Sequence, residues 1–295
     1  MPAVTICGAR HYVDAMTHIA RLDSRALIRV SGPDARPFLN NLLTQSVEDM
    51  KPGELRFAAL LSPPGRLLFD LFVWGEETAL VLDVAADRRE TLLQRLTMYR
   101  LRTPVDISIP ADAVFAAWNT DGATPVPGFA CDPRLPGLGG RRYGDQSEIN
   151  ADEAAWTAHR MALGVPGAAD WPDDKTYPIE ANFDLLNGVD FHKGCFIGQE
   201  TASRMKRRGA IKNRMMTLAF DGPPPAFGAE VLNGERRAGE VRSSTESAES
   251  GNLAMALLRV DRLDGDLTVE GRPVALRRPP YIPHEDAPDN APDDA

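Results

Sequence analysis

The residues best suited to chemistry lie in the segment 192–200, which reads HKGCFIGQE. The thiol of Cys195 stands between Gly194 and Gly198, and Lys193 precedes it by two residues. Glycine has no Cβ, so a ligand or another backbone can approach closely at both positions. A neighbouring ammonium group lowers the pKa of a thiol and favours the reactive thiolate. The spacing predicts Cys195 as a reactive thiol and Lys193 as the residue that activates it.

The residues that follow the thiol predict a helix. The run from Gln199 to Arg208 ends in basic residues before Gly209, and both features are helix-stop signals. Cys195 is therefore expected at or just before a helix N-terminus, whose partial positive charge stabilises a thiolate. The alternative for Cys195 is a small buried hydrophobic residue, which is common for single cysteines. Because His192 brings only one thiol within reach, no structural metal site is predicted.

The segment from Lys193 to Glu200 resembles the K-G-C-(Y/F)-x-G-Q-E signature of the YgfZ-type folate-binding proteins. These proteins belong to the superfamily of the glycine-cleavage T-protein, the aminomethyltransferase. Aminomethyltransferases resemble the segment too, but they lack the cysteine. Further positions agree with the family pattern: Pro178, Asn182, Gly188, Phe191, Arg204, Arg208 and Gly209.

This resemblance implies tetrahydrofolate or another folate derivative as the ligand of a central cavity. It also implies a protein that assists the assembly or repair of iron–sulfur clusters, with client or assembly proteins as partners. A transient iron–sulfur cluster shared between Cys195 and a partner's cysteines is one form that this chemistry could take; whether the protein turns over a substrate stays open. The residues expected to bind folate are Asp70, Arg160, Glu180, Asn182, Gly194, Gly198, Gln199, Glu200 and Arg204.

Asp70 lies in a segment where alternation places it on one strand face with Arg66, Leu68 and Phe72. The alternative to folate binding is a purely structural role, in which Asp70 forms a salt bridge with Arg66. Aminomethyltransferases carry two adjacent aspartates at this place, whereas Phe69 precedes Asp70 here. The missing acid argues against a folate-dependent aminomethyl or one-carbon transferase, which is the first alternative function.

The charge of the chain is unevenly distributed. The net charge is −9, but six cations and no acid occur between Thr201 and Arg214. Such a run is typical of a solvated helix face or of a site for anions, among them the glutamate tail of a folate. Because nucleic acid is also an anion, the basic patch 204–214 makes an RNA-associated factor the second alternative function. Nucleic acid is nevertheless disfavoured, because the body is acidic and few aromatic residues interleave the patch.

The composition predicts a cytoplasmic protein. Cysteines occur at positions 7, 131 and 195, which is too sparse for a disulfide framework and indicates a reducing compartment. No apolar run is long enough for a transmembrane helix, and residues 1–16 lack the pattern of a secretory signal. No membrane partner is therefore expected.

The order of elements predicts an α+β fold in which ferredoxin-like split βαβ domains surround a central folate cavity and a small C-terminal β-barrel follows. The predicted first domain comprises 19–112 plus 174–212, and includes the signature segment. A smaller second α+β domain is predicted at 113–173, and the barrel at 213–282. The ends, 1–18 and 284–295, are predicted to be flexible because they lack periodicity or are rich in Pro, Asp and Ala.

Overall fold

The computed structural model describes residues 17–120, 126–146, 148–171, 174–209, 211–247 and 251–283. Of the two ends predicted to be flexible, residues 1–16 and 284–295 lie outside this part. Thr17 and His18 were expected in the flexible end, but they belong to strand β1, Thr17–Arg21. No helix within the described ranges is long and apolar enough to cross a membrane.

The first sheet has five antiparallel strands in the order β3-β4-β5-β2-β6. Helices α1, Ala35–Leu42, and α2, Arg89–Arg100, cover one face, because their apolar side chains repeat at helical spacing and pack against the strands. The sequence predicted this order of strands and helices. The strands are β2 Arg25–Ser31, β3 Leu55–Leu61, β4 Leu67–Gly75, β5 Ala79–Ala85 and β6 Asp106–Ser108.

A bulge in β4 changes which side chains share a face. The pairing steps from Leu60 opposite Phe69 to Leu61 opposite Leu67, so Leu68 is an extra residue on its strand. Leu68 consequently packs with the helix side of the sheet, whereas Phe72 packs on the opposite side. The predicted common face of Leu68 and Phe72 was therefore wrong, because simple alternation does not anticipate a bulge.

The second sheet has four strands in the order β1-β7-β9-β8. Its first strand, β1, pairs antiparallel with β7, so residues 19–21 join this sheet although they were grouped with the first domain. Helix α3, Glu153–Ala162, packs beside the sheet through Trp156, which shares a core with Trp118. The remaining strands are β7 Ala113–Asn119, β8 Ala130–Cys131 and β9 Gly140–Gly144.

The C-terminal part is a closed barrel in the order β10-β13-β12-β11-β14-β15. Short strands separated by glycine-containing turns predicted this barrel, and the structure confirms both the barrel and the α+β class. Its strands are β10 Asn213–Phe220, β11 Glu230–Asn233, β12 Arg236–Thr245, β13 Leu253–Arg259, β14 Leu267–Val269 and β15 Arg272–Arg277.

One apolar core joins the parts of the molecule. It lies on the face of the first sheet opposite α1 and α2, and it combines Phe57 and Phe72 of that sheet with Phe196 of the signature segment. Barrel residues Met215 and Met255 belong to the same core. Sheet, signature segment and barrel therefore bury the same apolar surface.

Candidate functional site

The signature segment reaches the surface at Cys195. Residues 191–198 form bends and loop rather than regular structure, and the Cys195 thiol is exposed. A Cβ at Gly194 would meet no atom within 4 Å, so the space beside the thiol is open. The alternative of a buried, structural cysteine is therefore wrong. An exposed thiol is accessible to a metal, a cluster or another protein.

The same segment is tied down on the side away from solvent. The Asp190 carboxylate accepts hydrogen bonds from the backbone N–H groups of His192, at 2.9 Å, and of Lys193, at 3.1 Å. The backbone N–H of Asp190 in turn donates to the carbonyl oxygen of Thr44. Short Asp-centred turns of this kind fix the local backbone. The thiol therefore sits on an anchored loop.

Lys193 anchors this loop to the C-terminal end of α1. Its ammonium donates to the carbonyl oxygens of Leu43, at 2.7 Å, of Gln45, at 3.3 Å, and of Asn40. The last carbonyls of a helix lack intrahelical partners and carry partial negative charge, so a cation is favourable there. An ammonium has three N–H donors, and all three are used by carbonyls. Burial lowers the pKa of Lys193 to about 8, against the opposing effect of Asp190 and Glu48.

Helix α4, Gln199–Arg208, begins after the thiol as predicted, but Cys195 lies four residues before its first residue. The helix therefore begins farther along the chain from the thiol than the sequence indicated. Gly198 precedes the helix with φ +81°, and a Cβ there would lie 2.8 Å from the Gly65 Cα. Gly198 is thus used for close packing of α4 against the β3–β4 turn. Gln199 is half-buried and Glu200 exposed at the start of this helix.

A second group of predicted residues lies in the interior, where Asp70 belongs to a cluster of buried charges. Its carboxylate pairs with Arg25 at 2.9 Å, and the predicted structural partner, Arg66, instead donates to the Lys175 carbonyl. Burial would raise the pKa of Asp70, but the Arg25 and Arg134 guanidinium groups hold it below its usual range. Asp70 is therefore an ionised partner of arginine in the fold.

Asp83 is the centre of this cluster and is completely buried. It accepts from Arg25 Nε at 2.6 Å, from Arg141 Nη1 at 2.7 Å and from the Tyr143 hydroxyl at 3.2 Å. Burial raises the pKa of Tyr143 well above its usual value, and Asp83 acts in the same direction. Tyr143 is therefore a neutral donor to Asp83.

Two arginines of the cluster, Arg141 and Arg134, lie against the Phe72 ring. Arg141 lies 3.6 Å and Arg134 4.8 Å from its centroid. Arg134 also forms a two-pronged pair with Asp132, at 2.9 and 2.8 Å, and the two arginines hold the pKa of Asp132 low against the effect of burial. The Nε–H of Arg141 is buried without a hydrogen-bond partner in the described part of the chain. It lies 3.6 Å from an Asp132 carboxylate oxygen, which is within ion-pair distance but too long for a hydrogen bond.

Arg160 lies at the edge of the same cluster. Its guanidinium donates to the Val165 carbonyl and lies 3.8 Å from the Asp170 carboxylate. Burial lowers the pKa of Arg160 and raises the pKa of Asp170, which also accepts from the Gly167 N–H. Arg160 thus interacts electrostatically with Asp70, and the expectation that both bind folate stays a prediction.

Glu180 and Asn182 connect the segment before the signature to the first barrel strand. Glu180 accepts from Asn213 Nδ2 at 2.8 Å and from the Tyr177 N–H at 3.0 Å. Asn182 is fully buried with φ +63°, and its amide donates to the Met215 carbonyl at 2.8 Å. Their polar atoms are therefore used inside the fold, and their role as folate ligands stays a prediction.

The basic patch 204–214 is less uniform than the sequence indicated. Arg214 is buried and forms a two-pronged pair with Asp184 at 2.6 and 3.0 Å, so it does not belong to a surface patch. Lys206 lies 3.6 Å from the same carboxylate. Arg204 remains exposed, and the side chain of Arg208 lies outside the described part.

Sequence reasoning missed most of the interior cluster. Asp83 stands in a strand of otherwise apolar residues, β5, whereas Arg25 begins β2 and Arg141 lies beside Arg142 in β9. Asp132 and Arg134 lie in a loop. A charge inside an apolar strand was the available signal, since charged residues are almost never fully buried unless paired. No group of three or more metal-ligating side chains occurs in the ranges that the structure describes.

Comparison with known proteins gives relatives over most of the chain. A family model described as CAF17, C-terminal beta-barrel domain, matches residues 212–284, which contain the barrel. The iron-sulfur cluster assembly factor IBA57, mitochondrial, of Homo sapiens is 32% identical over 87% of this chain and 82% of its own length. The Mus musculus protein of the same name is 30% identical over 85% of this chain and 80% of its own length.

The Neurospora crassa relative, named iron-sulfur cluster assembly factor IBA57 homolog, mitochondrial, is 28% identical over 74% of this chain. This match spans only 57% of the Neurospora protein. Among solved structures, the glycine cleavage system aminomethyltransferase T from Bartonella henselae matches with a TM-score of 0.72 and 18% identity, over 91% of this chain and 87% of that one. That likeness shows the fold.

The names of these relatives correct one expectation. The composition predicted a cytoplasmic protein, but the Neurospora, human and Mycosarcoma maydis relatives are all named as mitochondrial. The cytoplasmic assignment was therefore wrong. A low cysteine count indicates a reducing environment, and this criterion does not separate one reducing compartment from another.

Proposed function

Because this chain belongs to the family of the IBA57 iron–sulfur cluster assembly factors, we propose that it assists the assembly or repair of iron–sulfur clusters in client enzymes. The observation that carries the proposal is the exposed Cys195 thiol on an anchored loop. The human relative, 32% identical over 82% of its length, supports it by name. The signature around this thiol resembles that of the YgfZ-type branch, and we propose that branch as the nearest functional counterpart.

The thiol is proposed to be one ligand of a cluster shared with a partner. Iron–sulfur clusters are commonly held by four cysteine thiolates. Among the described residues the exposed cysteines are Cys131 and Cys195, and no group of three metal ligands occurs there. The remaining ligands would therefore come from the client or assembly protein, so that the cluster stays transferable.

Anaerobic cluster formation tests this role. The chain is mixed with ferric iron, sulfide and glutathione, which supplies thiolates in place of the partner, and bound iron and visible absorbance are measured. Cys195→Ser should lose the bound cluster, whereas Cys131→Ser, which changes the other exposed thiol, should keep it. Equal iron binding by wild type and Cys195→Ser would remove the thiol from the proposal.

We further propose that folate binds at the interior cluster around Asp70 and Arg160. The aromatic rings of Phe57 and Phe72 and the unpartnered Nε–H of Arg141 support this placement, because a pterin is flat and carries hydrogen-bond acceptors. All arginines of the cluster, Arg141 included, already face aspartates, so the anionic glutamate tail would need a cation outside it. Exposed Arg204 is one candidate.

Calorimetric titration of tetrahydrofolate tests the folate proposal separately. Cys195→Ala should bind folate as the wild type does, because the thiol is placed outside the interior cluster. Asp70→Asn should weaken binding by about tenfold, if its charge orders the cluster around the ligand. Unchanged affinity in Asp70→Asn would place any folate elsewhere.

The two alternatives receive no specific support. For a one-carbon transferase, Asp70 would have to act on a substrate, yet it is bonded to Arg25, and the likeness to an aminomethyltransferase is one of fold. For an RNA-associated factor, the patch loses Arg214 to a buried pair with Asp184. Methylenetetrahydrofolate formation and salt-dependent RNA binding are the assays that would revive them.

A further inference from the structure

The exposed side of α4 carries cations that the proposed chemistry does not use. Arg204 and Arg207 lie three residues apart on one face of the helix, and both are exposed. Neither has a carboxylate within ion-pair distance among the described residues, although exposed Glu200 lies one turn before Arg204. Ala202, by contrast, is buried against the rest of the protein. The helix therefore presents unpaired positive charge to solvent on an otherwise acidic chain of net charge −9.

Beyond α4, further cations line a cleft on the barrel. After α4 the chain reaches Lys212, which is exposed and whose carbonyl accepts from the Val260 N–H at 3.0 Å. The next residue, Asn213, pairs across the strands with Arg259. Asn213, Arg259 and Arg262 line one cleft, together with Arg237, Gly239, Glu240 and Leu257.

Most acids beside this cleft are already neutralised. Glu240 pairs with both Arg237 and Arg242, each at 2.5 Å. Asp261 forms a two-pronged pair with Arg259, at 3.0 and 2.7 Å. Arg262 donates to the Arg237 carbonyl at 2.6 Å, and the described ranges contain no carboxylate partner for it. Four cations in this part of the structure therefore have no described carboxylate within ion-pair distance: Arg204, Arg207, Lys212 and Arg262. Of these, Arg262 still interacts with the charge of the neighbouring Asp261.

We propose that these four residues, the cationic strip, dock an acidic segment of the protein that shares or receives the cluster. The inference rests on the proposed function and names the chemistry of its partner. The strip begins on the helix that follows the Cys195 loop, and α4, with ten residues, is about 15 Å long. A partner held along the strip would thus contact the helix that begins four residues after Cys195.

Charge explains why an acidic protein suits this surface. Thiolate ligands and a bound cluster add negative charge to the partner, and complementary charge accelerates encounter and fixes orientation. Single-stranded RNA would need aromatic side chains on which bases stack. The large exposed hydrophobic residues of the described chain are Met98, Leu101, Ile109, Ile149 and Phe227, and none belongs to the strip.

A charge-reversal pair tests the strip. Lys212→Glu with Arg262→Glu reverses two of its cations, and Lys51→Glu with Arg102→Glu is the matched control, one exposed lysine and one exposed arginine elsewhere. A fluorescein-labelled hexaglutamate peptide is titrated into each full-length chain at low salt and followed by polarisation. The strip variant should bind about tenfold more weakly than wild type, and the control pair within about twofold.

Equal binding by the strip variant and its control would overturn the proposal, as would tighter binding of a labelled six-nucleotide RNA than of the peptide. Cluster formation with glutathione, measured on the same samples, separates this result from the proposed function. The strip variant should form the cluster normally, because Cys195 is unchanged. Failure of the wild type to form a cluster would contradict the proposed role of the thiol. The docking proposal for the cationic strip is tested by the peptide titration alone.

Discussion

The ammonium of Lys193 holds the loop that carries Cys195 against the end of α1. Three carbonyl oxygens accept its protons, so replacing it leaves helix-end carbonyls without their cation. We expect Lys193→Met to lower the free energy of unfolding by about 1–2 kcal/mol, since hydrogen bonds to a charged group are among the stronger ones and this site is half-buried. Urea unfolding checks this value. Lys51→Met, which removes an exposed lysine, should change it by less than about 0.5 kcal/mol.

The pH dependence of the same variant has a defined sign. The pKa of Lys193 falls from 10.5 to about 8 on folding, so the unfolded chain holds the proton more tightly within this window. Stability contributed by this residue therefore rises with pH across the window. The difference in unfolding free energy between wild type and Lys193→Met should be larger at about pH 10 than at about pH 7. A difference that shrinks over this range would contradict the assigned pKa direction.

Asp70 gives a pH dependence of the same sign as Lys193, but in a lower pH range. Its pKa is held low by arginines against burial, so its contribution to stability is complete above about pH 4 and is lost as the pH falls below that value. Asp70→Asn should lower the free energy of unfolding by about 2–3 kcal/mol at neutral pH. This is less than the loss of a whole buried ion pair, because Arg25 still pairs with Asp83 in the variant. Unfolding curves at several pH values measure both effects. A cost independent of pH below about pH 4 would show that Asp70 is not ionised in the fold.

At the scale of elements, two glycines of the signature segment differ in function. Gly198 has φ +81° and no room for a Cβ, because Gly65 and Ser62 lie against it, whereas Gly194 has open space. Gly198→Ala should therefore destabilise the protein by about 2–4 kcal/mol through backbone strain and displacement of α4. Gly194→Ala should stay within about 0.5 kcal/mol. Thermal unfolding of the two variants makes the comparison, and equal melting temperatures would refute this packing of α4.

The elements themselves were largely predictable, and the interior was not. Short apolar runs bounded by turn residues predicted β3, β5 and the barrel strands, because this local pattern follows directly from which side chains are buried. The cluster around Asp83 joins charges from distant parts of the chain, including Arg25 and Arg141, and no local pattern links them. Likewise, the spacing of Lys193 to Cys195 suggested a local pair, whereas folding directs the ammonium to α1.

At the scale of the whole molecule, one shared core predicts a single unfolding event. Phe57 of the first sheet, Phe196 of the signature segment and Met255 of the barrel are buried together, and Asp184 pairs with Arg214 at the junction. Far-ultraviolet circular dichroism and tryptophan fluorescence should therefore give coincident unfolding transitions. Separate transitions, with the barrel persisting after the sheets unfold, would show that the shared core contributes little coupling.

The most direct measurement of the central claim is the activity of an iron–sulfur enzyme in cells that lack this protein and are supplied with variants of it. Wild type and Cys131→Ser should restore the enzyme's activity, because both keep the thiol on the anchored loop. Cys195→Ser should accumulate to the same level yet leave the enzyme without its cluster. Full restoration by Cys195→Ser would contradict the account.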